Sequence, residues 1–329
     1  MRNLFLLLSS ICFLFIFSCS DGDVFTVEFD FDDTFQACEE SDLLFYKTKE
    51  EPTETLSVLF TSLTLEELFE TEVDTLTFEE TATFNYRTYN RTDLPNDLFC
   101  TIIPPSNLNI VVDESSSCTA KIIRILIEDD NDGIPSEFEG PNGIDPLGDD
   151  DNDGVYNYLD DNSNDKTIGD VDEKIEDGFD TDGDGLANFI DADDDGDNVF
   201  TKNEKPDVDG DGSPSDAQDF DKDGTPDYLD SDDDGDGTLT RDEENNTQNQ
   251  NPLDDITNPD VGADYLNPAV KTETPATAYK EHSISQTYTV NMVVEDISLD
   301  FLLQEELNFG FLTGLSELTN TRKVTPVFN

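Results

Sequence analysis

Aspartate residues recur in the middle of this chain at a spacing that suits a hard divalent cation. The clearest loop turns at Gly237 and carries acids at Asp232, Asp234, Asp236 and Glu243. Calcium takes about 6–8 oxygen ligands, and acids at loop positions 1, 3, 5 and 12, with glycine at position 6, can wrap around one ion. The spacing therefore predicts calcium loops. Magnesium fits less well, because it demands octahedral geometry and gives up its waters reluctantly.

The same frame occurs seven times between residues 128 and 244. The predicted ligands, loop by loop, are Glu128, Asp130, Asp132 and Glu139; Asp149, Asp151, Asp153, Asn157 and Asp160; Asp180, Asp182, Asp184, Asn188 and Asp191; Asp193, Asp195, Asp197 and Glu204; Asp207, Asp209 and Asp211; Asp219, Asp221, Asp223, Asp227 and Asp230; and Asp232, Asp234, Asp236 and Glu243. The Asp207 loop is the weakest, because Gln218 stands at its position 12. The segment Asp180–Glu204 maps onto Asp219–Glu243 with a shift of 39 residues, which indicates a repeat array.

Consecutive loops leave no room for the helices of an EF-hand. One residue separates Asp191 from Asp193, whereas a flanking helix needs about ten. With their Asp-x-Asp-x-Asp-Gly-x-x-Asp/Asn-x-x-Asp pattern, residues 128–244 resemble thrombospondin type 3 repeats, which implies calcium-bound loops without helices. The resemblance covers about a third of the chain. It departs from the family pattern at Glu128 in position 1, Asn198 in the glycine position and Gln218 in position 12.

The charge of the chain also favours cations as partners. The chain has 79 acidic and 17 basic residues and a formal net charge of -62. Residues 128–244 contain 44 acids and 6 bases, a charge of 6 − 44 = -38, so this segment repels itself unless cations neutralise it. Nucleic acid is excluded as a partner, since no basic patch is available to displace counterions from phosphate.

The first residues predict export. Arg2 precedes an apolar run from Leu4 to Phe17, which is too short to favour a spanning helix of about 20 residues. The sequence Ile16-Phe17-Ser18-Cys19 resembles the lipobox of bacterial lipoproteins, which implies a signal peptide over 1–18, lipid on Cys19 and a tether over 19–24. The acidic residues after Cys19 resemble the surface-export signals of Bacteroidetes-type lipoproteins, so the expected location is the outer membrane or the cell surface. The alternative is an ordinary cleaved signal peptide with an incidental cysteine.

The remaining sequence is mostly strand-like. Period-two patterns at Val24–Phe31 and Thr75–Phe78, together with the β-branched and aromatic residues of Thr83–Tyr89 and Ile122–Ile127, predict a β-sandwich-like module over 25–127. Residues 245–283 have the composition of a flexible linker, and 284–329 hold further strands expected to complete the module. The predicted fold is mainly β, with the acidic array inserted in or projecting from a sandwich and with little helix. One helical turn is expected at Thr64–Phe69, capped by Ser62.

Three cysteines besides Cys19 remain after the signal peptide. Cys100 and Cys118 are closest in sequence and are the predicted disulfide, with Cys38 as an alternative partner. An exported protein favours a bridge over free thiols.

Three functions follow from these features. The first is a structural or adhesive surface protein rigidified by calcium, attached to the membrane by lipid and presenting its β module to a surface protein or glycan. The alternative is a receptor module for a glycan or another solute, and an enzyme ranks third. The chain contains no nucleophile elbow, His-Glu-x-x-His motif or phosphate loop, and its one histidine, His282, is expected to be an exposed strand-edge residue.

Overall fold

A computed structural model of the chain describes residues 29–70, 75–103, 105–150, 156–160, 175, 178–245, 248–300 and 302–328. The predicted signal peptide, the tether with Cys19 and the loop residues Asp151 and Asp153 lie outside these residues. The described residues form eight strands and one short α-helix, which confirms the mainly β class. The chain divides into two compact units. The sheet unit is Met1–Leu68, Thr77–Ile123 and Val290–Gly314, and the loop unit is Phe69–Leu76, Arg124–Thr289 and Leu315–Asn329.

The strands belong to one sheet. They are β1 (Thr34–Glu39), β2 (Leu43–Glu50), β3 (Thr53–Phe60), β4 (Thr75–Tyr89), β5 (Ile110–Asp129), β6 (His282–Leu299), β7 (Leu302–Leu312) and β8 (Thr319–Val324). Their order is β5-β4-β3-β2-β1-β7-β6-β8, and β5 also pairs with β6, so seven strands close into a barrel. The predicted two-sheet sandwich is corrected to a closed sheet, in which β5 and β6 satisfy each other's backbone groups instead of leaving open edges.

Phenylalanine side chains fill the inside of the sheet unit. Period-two alternation turns Phe35, Phe45, Phe60, Phe84 and Phe309 to the same face, and each is at most 1 % exposed. The ring centroids of Phe35 and Phe45 lie 4.9 Å apart, and those of Phe45 and Phe60 lie 5.1 Å apart. Such tilted contacts add to the apolar burial that holds the sheet together.

The amino-terminal and carboxy-terminal strands meet in a short parallel pairing. Thr34 of β1 lies opposite Phe311 of β7. Gly310 has a φ of +86°, and a Cβ at this position would overlap the carbonyl oxygen of Asp33. Glycine at position 310 therefore permits the close approach of the two chain segments.

The one α-helix of the described residues, α1, spans Leu65–Leu68. Thr64 caps it instead of the predicted Ser62, because Glu67 N donates to Thr64 Oγ1 at 3.2 Å and Thr64 N donates to Glu67 Oε2 at 2.9 Å. This reciprocal pair is a capping box. The described part of the chain contains no helix with the length and apolar character needed to cross a membrane.

The disulfide differs from the predicted one. Cys38 and Cys100 are bonded, with their Cα atoms 5.4 Å apart, and Cys118 is a buried free thiol. The prediction of Cys100–Cys118 is wrong because Cys118 faces inward from β5, where its Sγ lies 3.5 Å from the carbonyl oxygen of Ala82. Proximity in sequence does not decide a pairing when the side chain points into a core.

The loop unit consists mainly of turns between β5 and β6, together with the pairing of β6 and β8. Eleven short 3-10 turns occur among its described residues, at Ser136–Phe138, Pro141–Gly143, Asn157–Leu159, Asn188–Ile190, Thr201–Asn203, Pro214–Asp216, Asp227–Leu229, Thr240–Asp242, Pro252–Asp254, Asp264–Leu266 and Ser316–Leu318. The segment predicted as a linker is bonded to these loops, since Thr274 N donates to the carbonyl oxygen of Asp242 at 2.7 Å and Lys280 N donates to Asn198 Oδ1 at 3.0 Å.

Candidate metal centres

The acidic loops that the structure describes without gaps use part of their own carboxylates to hold their shape. In the loop that begins at Asp180, the two carboxylate oxygens of Asp180 accept from Gly183 N at 2.7 Å and Gly185 N at 3.1 Å. Asp182 Oδ1 then accepts from the backbone N–H of Asp184 at 3.0 Å, and Asp184 Oδ1 accepts from Leu186 N at 2.8 Å. The acids at positions 3 and 5 thus bind the backbone through Oδ1 and keep Oδ2 for the centre of the loop.

The same bonds recur along the array. Position-1 carboxylates that accept loop N–H groups include Asp193, Asp207, Asp219 and Asp232. Position-5 carboxylates that accept through Oδ1 include Asp132, Asp197, Asp211, Asp223 and Asp236. Several of the free oxygens are buried without a hydrogen-bond partner among the described residues: Oδ2 of Asp130, Asp132, Asp182, Asp195, Asp197 and Asp234. Buried polar atoms are rarely left without partners, so this regular exception fits a set of cation ligands.

The side chain at position 9 accepts a hydrogen bond from the backbone of its own loop. Asn188 Oδ1 accepts from Thr181 N at 3.0 Å, Asn157 Oδ1 from Asp150 N at 3.2 Å, and Asp227 Oδ1 from Phe220 N at 2.6 Å. These three side chains were predicted as ligands. In the structure they are bound to the N–H at position 2 of their own loops, seven residues earlier.

Two groups of four acids bring their ligand oxygens within 4.8 Å of one another. Site A consists of Asp130, Asp132, Glu139 and Asp194, and site B consists of Asp195, Asp197, Glu204 and Asp233. All eight side chains are buried, and Glu204 has both carboxylate oxygens without a partner in the described structure.

Sequence reasoning missed Asp194 and Asp233, which stand at position 2 of their loops, where the frame requires no acid. Asp194 and Asp233 are each 1 % exposed. The signal that could have found them is the run of three acids at Asp193–Asp195, which repeats at Asp232–Asp234 with the 39-residue shift of the array.

Burial and mutual repulsion act strongly on these carboxyl groups. In site A, burial and the charge of Asp132 raise the pKa of Asp130 to about 9, and burial and the charge of Asp130 raise the pKa of Glu139 to about 10. In site B, burial and the charge of Asp197 raise the pKa of Asp233 to about 11. Without a cation these groups would hold protons near neutral pH, and a divalent cation would hold them ionised.

Glu128, a predicted ligand, lies elsewhere. Its carboxylate forms a bidentate ion pair with Arg322, and its Oε1 also accepts from Gln286 Nε2 at 2.7 Å. Both oxygens are engaged by donors from the β6–β8 pair, so Glu128 belongs to the sheet and not to the first loop.

The loops closed by aspartate form more open groups. Asp180, Asp182 and Asp184 converge in one, and Asp219, Asp221 and Asp223 in another. At position 12 of these loops, Asp191 Oδ1 accepts from Asp193 N at 3.0 Å and Asp230 Oδ1 accepts from Asp232 N at 3.1 Å, which joins each loop to the next. Asp149 is partly buried and Asp160 is buried.

Two further sites in the loop unit differ from the expectation. The Asp207 loop brings Asp207 and Asp209 together with Asp216 in an exposed group, so the acid that closes this loop is not at position 12.

His282 is 1 % exposed, with Nδ1 2.8 Å from Asp191 Oδ1, and is not the exposed residue that was predicted. Burial lowers the pKa of His282.

The last acidic loop is closed by Glu243, whose two carboxylate oxygens have no partner in the described part of the chain. The Nζ of Lys271 lies 3.3 Å from Asp236 Oδ2 at this loop. This lysine competes with an ion for the Oδ2 of Asp236.

An eighth loop follows where a linker was predicted. Asp264 N donates to the carbonyl oxygen of Asp255 at 2.8 Å, and Asp264 Oδ1 accepts from Thr257 N at 2.6 Å, which are the position-9 bonds of the acidic loops. The loop has Ile256 at position 1 and Asn258 at position 3, so of the acids at positions 1, 3 and 5 it keeps only Asp260. The signal in the sequence is Asp-Tyr-Leu at 264–266, which repeats the same three residues at 227–229.

One comparison with known proteins concerns this region. A family model described as BamM C-terminal matches residues 150–214, which lie within the array. The match covers about a fifth of the chain, and it supports the predicted association with the outer membrane. The chain matches no curated protein and no solved structure.

Proposed function

We propose that this chain is a calcium-binding protein of the outer membrane whose acidic array folds around calcium ions and serves a structural or adhesive role. The observation that carries the proposal is the pair of four-carboxylate sites A and B, whose ligand oxygens converge within 4.8 Å although all eight side chains are buried. Burying isolated carboxylates is very costly unless a counter-charge accompanies them.

The ligands favour calcium over other ions. In sites A and B they are all carboxylate oxygens, which suits a hard cation, and neither site includes a thiolate or an imidazole. A cage built entirely from protein carboxylates also suits calcium better than magnesium, which usually keeps several waters.

The expected affinity gives calcium a structural role. Extracellular modules bind at about 10⁻⁴–10⁻³ M, so their sites fill outside the cell and empty at cytosolic concentrations. An ion present at tenfold its dissociation constant stabilises the folded form by about 1.4 kcal/mol. Several such ions together contribute energy comparable to the stability of a small domain.

The surface of the sheet unit favours the structural role over solute capture. Its exposed large apolar side chains, among the described residues, are mostly aliphatic: Leu59, Ile102, Ile103, Ile110, Val111, Ile123 and Phe311. A sugar-binding face commonly offers several exposed aromatic rings, and this set contains one phenylalanine.

Lipid on Cys19 would hold the protein at the membrane, as the lipobox resemblance implies. Metabolic labelling with a fatty-acid analogue should mark the wild-type protein but not Cys19→Ser. Equal labelling of the two proteins would show that Cys19 does not carry the lipid. Protease treatment of intact cells tests surface exposure separately.

Calcium-dependent folding is tested by limited proteolysis of the mature chain in millimolar calcium, in equal magnesium and in chelator. We expect protection of residues 124–289 in calcium alone, because the ions neutralise a segment that otherwise repels itself. Identical digestion under the three conditions would contradict the proposed function.

A further inference from the structure

We propose that Asp194 and Asp233 each complete a calcium site begun by a different loop, so that one ion binds two loops that are distant in sequence. This inference rests on the proposed calcium binding of the array and extends it from single loops to composite sites.

Asp194 meets the requirement for a ligand in site A. It is 1 % exposed, and neither of its carboxylate oxygens has a hydrogen-bond partner within the described residues. Its backbone N–H donates to Thr201 Oγ1 at 3.3 Å, which fixes position 2 of its own loop while the side chain reaches the acids of the first loop. The loop that contains Asp194 therefore fixes the position of this residue, and the carboxylate lies among the acids of the first loop.

Asp233 repeats this arrangement in site B. Its N–H donates to Thr240 Oγ1 at 3.3 Å, its side chain is 1 % exposed, and its Oδ2 has no partner in the described structure. Asp194 and Asp233 occupy the same position of the repeat, 39 residues apart, and each groups with the acids of an earlier loop.

The number of oxygen ligands that calcium takes explains why the first loop would need a carboxylate from another loop. In site A the first loop offers Oδ2 of Asp130, Oδ2 of Asp132 and Oε1 of Glu139 without a partner in the described structure, and a glutamate at position 12 can bind calcium through both of its oxygens. That makes about four ligands, whereas calcium takes about 6–8. Both oxygens of Asp194 are available, so the borrowed carboxylate brings the count to about six.

A buried tyrosine accompanies each site. Burial, followed by the charges of Asp194, Asp132 and Glu139, raises the pKa of Tyr228 to about 12. Burial, followed by the charges of Asp233, Glu204 and Asp197, raises the pKa of Tyr265. Each tyrosine comes from the Asp-Tyr-Leu turn of a further loop, and the charges of one site are among the causes that raise its pKa.

These tyrosines give each site its own optical signal. Terbium is a hard cation that occupies calcium sites, and its emission is excited through nearby aromatic rings. The chain has no tryptophan, so tyrosine is the donor. Tyr228→Phe should remove the terbium emission of site A, and Tyr265→Phe should remove that of site B.

The experiment combines these changes in the mature full-length chain, with calcium counted in parallel by dialysis and metal analysis. Asp194→Asn should lose one calcium per chain or weaken one site at least tenfold, and adding Tyr228→Phe to it should then change terbium emission no further. Asp233→Asn should behave in the same way with Tyr265→Phe. The matched control is Asp150→Asn, an exposed acid at position 2 of its own loop, which should bind as the wild type does.

The outcomes separate the two proposals. A wild-type chain that binds neither calcium nor terbium would refute the proposed function itself. A wild-type chain that binds both, with Asp194→Asn and Asp233→Asn matching Asp150→Asn in calcium count and tyrosine-dependent emission, would refute the composite sites alone. Circular dichroism in saturating calcium shows whether each variant is folded, and a misfolded Asn variant is replaced by Asp194→Ser or Asp233→Ser in the same comparison.

Discussion

Glu128 and Arg322 form a bidentate ion pair, with Nε donating to Oε1 at 2.7 Å and Nη2 donating to Oε2 at 2.8 Å. Burial alone would raise the pKa of Glu128, but the hydrogen bonds from Arg322 and Gln286 outweigh it and hold the pKa below its usual value. The ion pair therefore stabilises the fold above the unfolded pKa of about 4.3, and this contribution is lost as pH falls through the lower folded pKa.

Glu128→Gln should lower the free energy of unfolding by about 1–3 kcal/mol at pH 7, because it weakens charge-assisted hydrogen bonds. The difference from the wild type should shrink as pH falls below the unfolded pKa of about 4.3 and through the lower folded pKa of Glu128. Urea unfolding at both pH values measures this. Glu281→Gln is the control, since the ion pair of Glu281 with Lys323 is exposed and should contribute little. An equal effect of the two changes at pH 7 would contradict this role for Glu128.

Thiol labelling tests the disulfide. In the mature chain Cys118 should react only after unfolding, because burial hides it and raises the pKa of its thiol to about 11. Cys38→Ser should expose Cys100 to labelling under native conditions and lower the free energy of unfolding by about 4 kcal/mol in the chain-entropy model. If Cys118→Ser, and not Cys38→Ser, frees Cys100, the pairing described here is wrong.

The close contact of Gly235 with Asp221 of the preceding loop predicts that replacing this glycine lowers the stability of the protein. A Cβ at Gly235 would overlap Asp221 Oδ2, whereas a Cβ at Gly237 would meet nothing within 4 Å. Both residues have positive φ, so alanine at either costs about 1–2 kcal/mol of backbone strain. Gly235→Ala should lower the thermal midpoint in calcium more than Gly237→Ala does, because it also separates the two loops. Equal midpoints for the two variants would show that the loops do not pack in this way.

Local patterns predicted much of this protein, and non-local contacts account for most of the differences. The spacing of acids identified the loops, since each loop closes within twelve residues and its bonds are short-range. The partners of Glu128 and the pairing of Cys38 depend on segments far away in sequence, which spacing does not report. Asp194 was missed for the same reason, because its carboxylate serves a loop about 60 residues earlier.

The mainly β class was predicted from the sequence, but the closure of the sheet into a barrel was not. Alternation identified inward-facing residues such as Phe84, but it does not distinguish one sheet that closes from two that stack, since both bury one face of each strand. Pairing of β5 with β6 decides between them, and these strands are separated by the whole array.

The number of calcium ions bound per chain is the direct test of sites A and B. The mature chain is dialysed against millimolar free calcium, and the calcium retained per chain is measured by elemental analysis, with the doubly substituted Asp195→Asn/Asp197→Asn chain alongside. We predict at least two ions per wild-type chain, one for each four-carboxylate site. The double variant should retain at least one fewer, because it removes two charges from site B. A wild-type chain that retains less than one calcium, or a variant that retains as many ions as the wild type, would contradict the account.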